Sequence, residues 1–280
     1  MTFASLRFSS RLFRFVPTAG LSLVLAGAAA CGVSPDGPDV TRAEVSDGAV
    51  EVVEHGTGDT TVVFESGLGN DWTPWEPVAS EVAAQARTFA YSRPGYGRSA
   101  PSPQARDAAQ IVQDLRALLA ARGVAPPYVL VGHSFGGAYM ELFAKAYPED
   151  VEGVVLVDPR HRDFTTACQE AGLEGCVIPA SVVASLPQVQ ADEFEAFAHT
   201  SEEMGALGVF GPYPVRVLTA TVHGFTPELE ALWVSMLGSL ADEAADGDQS
   251  LFVGAGHFLQ VERAHEVAQV ILSLLPAPER

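Results

Sequence analysis

Gly132-His133-Ser134-Phe135-Gly136 is a G-x-S-x-G stretch, and the hydroxyl of Ser134 is a candidate nucleophile. Before it runs Tyr128-Val129-Leu130-Val131, aliphatic and β-branched as a buried strand is. After it, Ala138 to Ala146 reads as a helix closed by Pro148. A serine between such a strand and such a helix sits on a sharp turn with its hydroxyl in the open. The residues two before and two after must then be glycine, because a Cβ at either place would meet the neighbouring strand or helix. The start of the helix supplies free N–H groups and a positive dipole end, where a developing oxyanion is stabilised. A Gly-rich strand-to-helix turn also occurs in nucleotide-binding folds, but here a serine occupies the turn in place of a phosphate loop. A hydroxyl attacks well only when a base takes its proton, and a third group must orient that base.

The elements that must position these groups alternate along the chain. Strands are predicted at residues 50–54, 61–64, 88–91, 128–131, 153–157, 214–219 and 250–253. Helices are predicted at 75–86, 103–122 (with Ile111, Leu115, Leu118 and Leu119 on one face), 138–146, 227–240 and 260–275. Apolar strands without alternation, separated by amphipathic helices, indicate an α/β fold: a doubly wound, mostly parallel sheet covered on both faces. After Pro159 the rhythm breaks until Pro214, so residues 160–213 read as a small lid inserted between the strands at 153–157 and 214–219. Phe194, Phe197, Met204, Leu207 and Phe210 either line a pocket there or form the lid's own core.

Over roughly residues 50–275 the sequence resembles the α/β-hydrolase superfamily. Besides the elbow, Glu65-Ser66-Gly67-Leu68-Gly69 follows the strand at 61–64, where members usually carry a His-Gly pair. Tyr91-Ser92-Arg93-Pro94-Gly95-Tyr96-Gly97-Arg98-Ser99 is similar to the family's D-R-x-G-x-G-x-S segment, here after the strand at 88–91, with Ser92 in the place of the Asp. The resemblance implies the chain order serine, acid, histidine. Of seven histidines, His257 lies in Gly254-Ala255-Gly256-His257 between the last strand and last helix, where the family keeps its base; His223 is the runner-up. His133 is read as support beside the nucleophile, and His55, His161, His199 and His265 as surface or lid residues. Most members carry the acid after the penultimate strand, where no carboxylate appears before Glu228. Asp158 directly ends the strand 154–157, and a minority of relatives draw the acid from there. Asp158 is the first candidate, Glu228 or Glu230 the alternatives. The oxyanion hole is expected from the backbone N–H groups of Phe135 and Leu68. Trp72 and Trp75 either wall the pocket or pack.

Residues 1–30 have the layout of an export signal: Arg7, Arg11 and Arg14, then an apolar run ending in Ala28-Ala29-Ala30. Cys31 after that small-residue run resembles a lipobox, so lipidation is expected there, with residues 31–41 as a flexible tether and 42–280 as the hydrolase domain. Ordinary signal cleavage, giving a secreted soluble protein, is the alternative. An extracytoplasmic, oxidising location leaves Cys168 and Cys176 as an even pair free to bridge. The formal net charge of −19 repels nucleic acid and anionic headgroups. The expected partner is a small-molecule ester, with the membrane met through a lipid anchor alone. There is no His-x-x-x-His or Cys-x-x-Cys pair, so neither metal nor organic cofactor is expected.

These features together lead to the expectation of a serine carboxyl-ester hydrolase with an acyl-enzyme on Ser134. An aminopeptidase resembling proline iminopeptidases is one alternative, in which Glu193, Glu195, Glu202 or Glu203 would bind the amine. An envelope binding protein on the same scaffold, without catalysis, is the other.

Overall fold

A computed structural model describes residues 38–45 and 48–276. The expected signal segment and Cys31 lie outside these residues. The described chain begins β1 (Asp39–Val45), β2 (Gly48–His55), β3 (Thr61–Glu65), α1 (Glu76–Val82) and β4 (Arg87–Tyr91). It continues α2 (Ala108–Ala121), β5 (Tyr128–His133), α3 (Phe135–Ala146) and β6 (Val151–Val157). Three helices follow, α4 (Phe164–Glu170), α5 (Ala180–Val183) and α6 (Gln188–Gly205). The chain then runs β7 (Val215–Ala220), α7 (Pro227–Asp242), β8 (Gly247–Phe252), α8 (Leu259–Glu262) and α9 (Ala264–Leu272).

Among the described residues these strands form one eight-stranded sheet, ordered β1-β2-β4-β3-β5-β6-β7-β8. β2 runs antiparallel to both β1 and β4, and every pairing from β4 through β8 is parallel. This is the α/β-hydrolase fold. The central strands are apolar throughout because both faces are covered: Val63 and Leu130 enter one core, while Val62, Phe64, Val129 and Val131 enter the other. β3 has β4 on one side and β5 on the other, so the strand order reverses between β3 and β5. The loops leaving those two strands therefore part to opposite faces and open a crevice at their carboxyl ends, where ligands bind in open α/β sheets.

Some boundaries differ from the sequence reading. The tether was expected through residue 41, but β1 begins at Asp39 and pairs along its whole length with β2. It is an edge strand carrying Arg42 and Glu44, and its polar character masks it. α2 starts at Ala108 rather than at residue 103, because the Asp107 side chain caps it by accepting from the Gln110 N–H at 2.9 Å. The last helix is two, broken at Arg263, whose φ of −133° and ψ of 40° are not helical. Between β6 and β7, Cys168 on α4 is bridged to Cys176, with their Cα atoms 5.5 Å apart.

Candidate active site

Ser134 caps α3 with φ 54° and ψ −121°, a backbone geometry that costs a non-glycine residue about 1–3 kcal/mol. The flanking glycines make room for it. A Cβ on Gly136 would stand 2.4 Å from the Glu65 carbonyl oxygen at the end of β3, and one on Gly132 would stand 2.4 Å from the Gly136 carbonyl oxygen. Asp158, just past β6, has φ 44°. Among the described residues, Ser134 and Asp158 are the two non-glycine positions with positive φ. Their loops are tied together: the Ser134 N–H donates to the Val157 carbonyl at 3.2 Å, and the Arg160 N–H to the Ser134 carbonyl at 2.9 Å.

The Asp158 carboxylate is buried and meets four donors. Oδ2 accepts from His257 Nδ1 at 2.5 Å and from His223 Nε2 at 2.6 Å. Oδ1 accepts from the Ala220 N–H and from Trp233 Nε1, both at 3.0 Å. Burial pushes the Asp158 pKa up, but the hydrogen bonds from His223 and His257 outweigh it and hold the group ionised well below the usual carboxylate range. His223 is held from both sides, with Nδ1 2.6 Å from Glu230 Oε1 and its backbone N–H donating to Glu230 Oε2 at 3.2 Å. Burial alone would lower the His223 pKa; the carboxylates of Asp158 and Glu230 raise it. Glu230, expected as an alternative acid, thus pairs with His223, and His257 pairs with Asp158.

The His257 loop is held by its own backbone. The Gly254 N–H donates to Thr221 Oγ1 and the Gly256 N–H to Glu262 Oε2, each at 2.9 Å. His133 supports it from β5, donating from Nε2 to the His257 carbonyl at 3.0 Å with the two rings 4.6 Å apart. Burial holds His133 down to about 3, so it stays neutral. His161, expected at the surface or in a lid, is buried, and burial brings it down to about 4.

The loop after β3 lies against the nucleophile: a Cβ on Gly67 would stand 3.1 Å from Ser134 Cβ. Arg93, fully buried, fixes this loop by donating to the carbonyls of Ser66 (2.6 Å) and Gly67 (3.0 Å). Its charge is met by Glu65 at 2.5 Å and by Glu193 of α6 at 2.9 Å, and Arg106 also pairs with Glu193. Leu68, expected to supply one oxyanion donor, follows these pinned carbonyls, and Phe135, expected to supply the other, is the first residue of α3. Where the resemblance led to an Asp, Ser92 hands its hydroxyl to Glu51 on β2 (2.9 Å), whose carboxylate also accepts from the Arg98 N–H (3.0 Å). The carboxylate is present, supplied from the adjacent strand.

A cavity of about 1150 Å³ joins these groups, lined among others by Ser134, His257, His223, Trp233, Phe194 and Phe197. Met204 and Phe210 belong instead to the core, with Leu207 packed on it. Trp75 is fully buried against Phe64 with rings 5.0 Å apart, and Trp72 packs against the same core. Neither walls the cavity. Glu193, proposed from sequence as an amine-binding group, is consumed by Arg93 and Arg106, and Glu203 accepts from the Ala109 N–H. Asp158, His223 and His257 bring one carboxylate oxygen and two ring nitrogens within 4.8 Å of one another, a donor set that a divalent metal also accepts. In the structure those atoms are hydrogen-bonded to each other.

Sequence reasoning missed Trp233 and Arg160 altogether and left His223 as a rival base. The spacing of Glu230 and Trp233, three apart on one helix, was the available signal that one face of α7 meets the site.

Comparison with known proteins agrees with this architecture. The family described as alpha/beta hydrolase fold matches residues 60–174. The uncharacterized protein YqjL of Bacillus subtilis is 37% identical over 115 residues, 40% of this chain and 46% of that protein. The chain spans less than half the length of the first curated relatives it matches. Among solved structures, an esterase from Thermogutta terrifontis superposes with a TM-score of 0.58 at 18% identity, covering 84% of this chain and 97% of that one. The haloalkane dehalogenase DatA from Agrobacterium tumefaciens superposes with a TM-score of 0.64 at 16% identity, covering 86% and 98%. At such identities the likeness concerns the fold, which hosts several chemistries.

Proposed function

Starting from an α/β-hydrolase fold with a serine at its strand-to-helix elbow, we propose that the protein is a serine hydrolase of carboxylic esters. The observation that carries this reading is the Asp158–His257 contact at 2.5 Å, at the wall of a cavity that Ser134 also lines. In the proposed reaction, Ser134 Oγ attacks the ester carbonyl carbon and its proton passes to His257 Nε2. Asp158 holds His257 Nδ1–H and stabilises the imidazolium. The oxyanion is met by the backbone N–H groups of Phe135 and Leu68, each worth roughly 2.7–4 kcal/mol in comparable sites. The C–O bond to the alcohol breaks as the alkoxide takes the proton back from His257, leaving an acyl-enzyme. Water, deprotonated by His257, then releases the acid and restores Ser134.

The elbow serine separates this reading from dehalogenase or epoxide chemistry on the same fold, where relatives use Asp. Labelling of Ser134 by a fluorophosphonate probe and turnover of p-nitrophenyl esters test it, with Ser134→Ala expected to abolish both in a folded protein. An unlabelled wild type would leave a binding protein on a hydrolase scaffold. Preferential turnover of aminoacyl amides would make it a peptidase. We further propose export with a lipid anchor on Cys31; Cys31→Ser should then move active protein from the membrane fraction to the soluble one.

A further inference from the structure

Arg160 follows the Asp158-Pro159 pair, and its side chain lines the same cavity as Ser134 and His257. Its backbone bond to the Ser134 carbonyl fixes the root of that side chain relative to the nucleophile. The guanidinium carbon lies 4.9 Å from the ring centre of Phe164 and 5.4 Å from that of Phe197. It donates to Thr165 Oγ1 at 2.5 Å and to the His161 carbonyl at 3.4 Å. Those bonds use two of the five N–H groups a guanidinium carries.

What Arg160 lacks is a counter-charge. Among the described residues no carboxylate lies within the 4.0 Å of an ion pair with it, whereas Arg93, Arg106 and Arg162 each have one or more. Burial brings its pKa down to about 10, with no neighbouring charge to offset the loss. A chain of net charge −19 is not short of carboxylates. The acidic residues of the cavity lining are placed otherwise: Asp163 pairs with Arg162, and Glu195 and Glu202 are exposed. A partly buried cation left without a partner, edge open and faces against aromatic rings, is a prepared seat for a planar anion.

We propose that Arg160 binds a carboxylate on the substrate, so that the ester cleaved carries a free acid on its acyl chain or its alcohol. The nature of the bond cleaved rests on the proposed ester hydrolysis; the anion seat rests on Arg160 itself. The seat places a cationic group in the cavity that Ser134 lines, among apolar walls that include Phe194 and Phe197.

The test compares p-nitrophenyl half-esters of dicarboxylic acids with the same chains capped as methyl esters, on the wild type and on Arg160→Gln. The wild type should favour the free acid by about 10- to 100-fold in kcat/KM, the range of one charge-assisted contact, and Arg160→Gln should erase that ratio. Arg160→Lys should retain part of it. A phosphate-terminated ester run alongside checks the anion: preference for the carboxylate over both the phosphate and the neutral chain supports the proposal, and preference for the phosphate would overturn it. Equal or better turnover of the capped esters by the wild type would overturn it, whether or not the variants fold. If neither ester is cleaved, the ester reading fails on its own. The seat is then judged by whether a carboxylate-bearing fluorophosphonate labels wild-type Ser134 faster than its neutral analogue; equal rates would overturn it.

Discussion

Replacing Asp158 by asparagine separates catalysis from stability in a way the geometry makes quantitative. The carboxylate accepts four hydrogen bonds, two per oxygen. An asparagine can keep all four if its amide oxygen faces the Ala220 N–H and Trp233 Nε1–H, and its two amide hydrogens face His257 Nδ1 and His223 Nε2. His223 permits this, because its Nδ1–H remains on Glu230. His257 permits it only by moving its proton to Nε2, and in the proposed reaction that tautomer presents N–H where the proton of Ser134 must go and cannot take it. The barrier should rise by about 5 kcal/mol, or roughly 10⁴-fold in kcat. Stability should fall by only about 1–3 kcal/mol, since two charge-assisted bonds become neutral ones. Asp158→Ala should cost more, about 2–6 kcal/mol, because the buried Ala220 and Trp233 donors lose their acceptor. The assay is kcat on a chromogenic ester beside urea midpoints for both variants. Asp158→Asn losing less than about tenfold in kcat, or proving less stable than Asp158→Ala, would refute the reasoning.

Three other outcomes follow from groups outside the reacting atoms. Although burial opposes it, Asp158 and Glu230 raise the His223 pKa, so its contribution is full below about pH 6.5 and is lost as pH rises through the raised value. Tm measured from about pH 6 to 9 should decline on the alkaline side, and Glu230→Gln should flatten that decline. Glu193→Gln removes the carboxylate shared by two arginines and should cost about 3–5 kcal/mol in urea unfolding, whereas Glu266→Gln, breaking an exposed pair with Arg263, should cost under about 1. Reducing the Cys168–Cys176 bridge, which closes a loop of sequence separation 8, should lower stability by about 2.5 kcal/mol, read as a Tm shift with dithiothreitol.

How much of this was legible in the sequence depended on range. The elbow is a local object: strand, serine, glycines and helix are contiguous, and their physics needs no partner. Glycines around His257 and the strand-ending position of Asp158 were visible for the same reason, and these two residues do meet, 99 positions apart. The bond of His223 to Asp158 was hidden because α7 and the loop before it must first fold over the ends of β6 and β7. Nothing local distinguishes Glu230 as that histidine's second partner from a solvated acid near a helix start. Glu51 was hidden too. It reads as the polar half of an alternating strand, yet it is buried, holding Ser92 and Arg98 from one strand away. Tertiary placement, and not residue type, gave both groups their partners.

Glu193 and Arg93 have a consequence for traffic. α6 contributes Phe194 and Phe197 to the wall of the cavity, and its Glu193 is gripped by Arg93, which also grips the loop beneath Ser134. Wall and floor are welded through one cation. Swinging α6 aside would break the pairs of Glu193 with both Arg93 and Arg106 at a cost of about 3–5 kcal/mol, so a gaping form is populated at roughly one part in a hundred to one in several thousand. A substrate of the proposed reaction is then expected to pass through the opening that stands with α6 in place, and not through one made by lifting the helix.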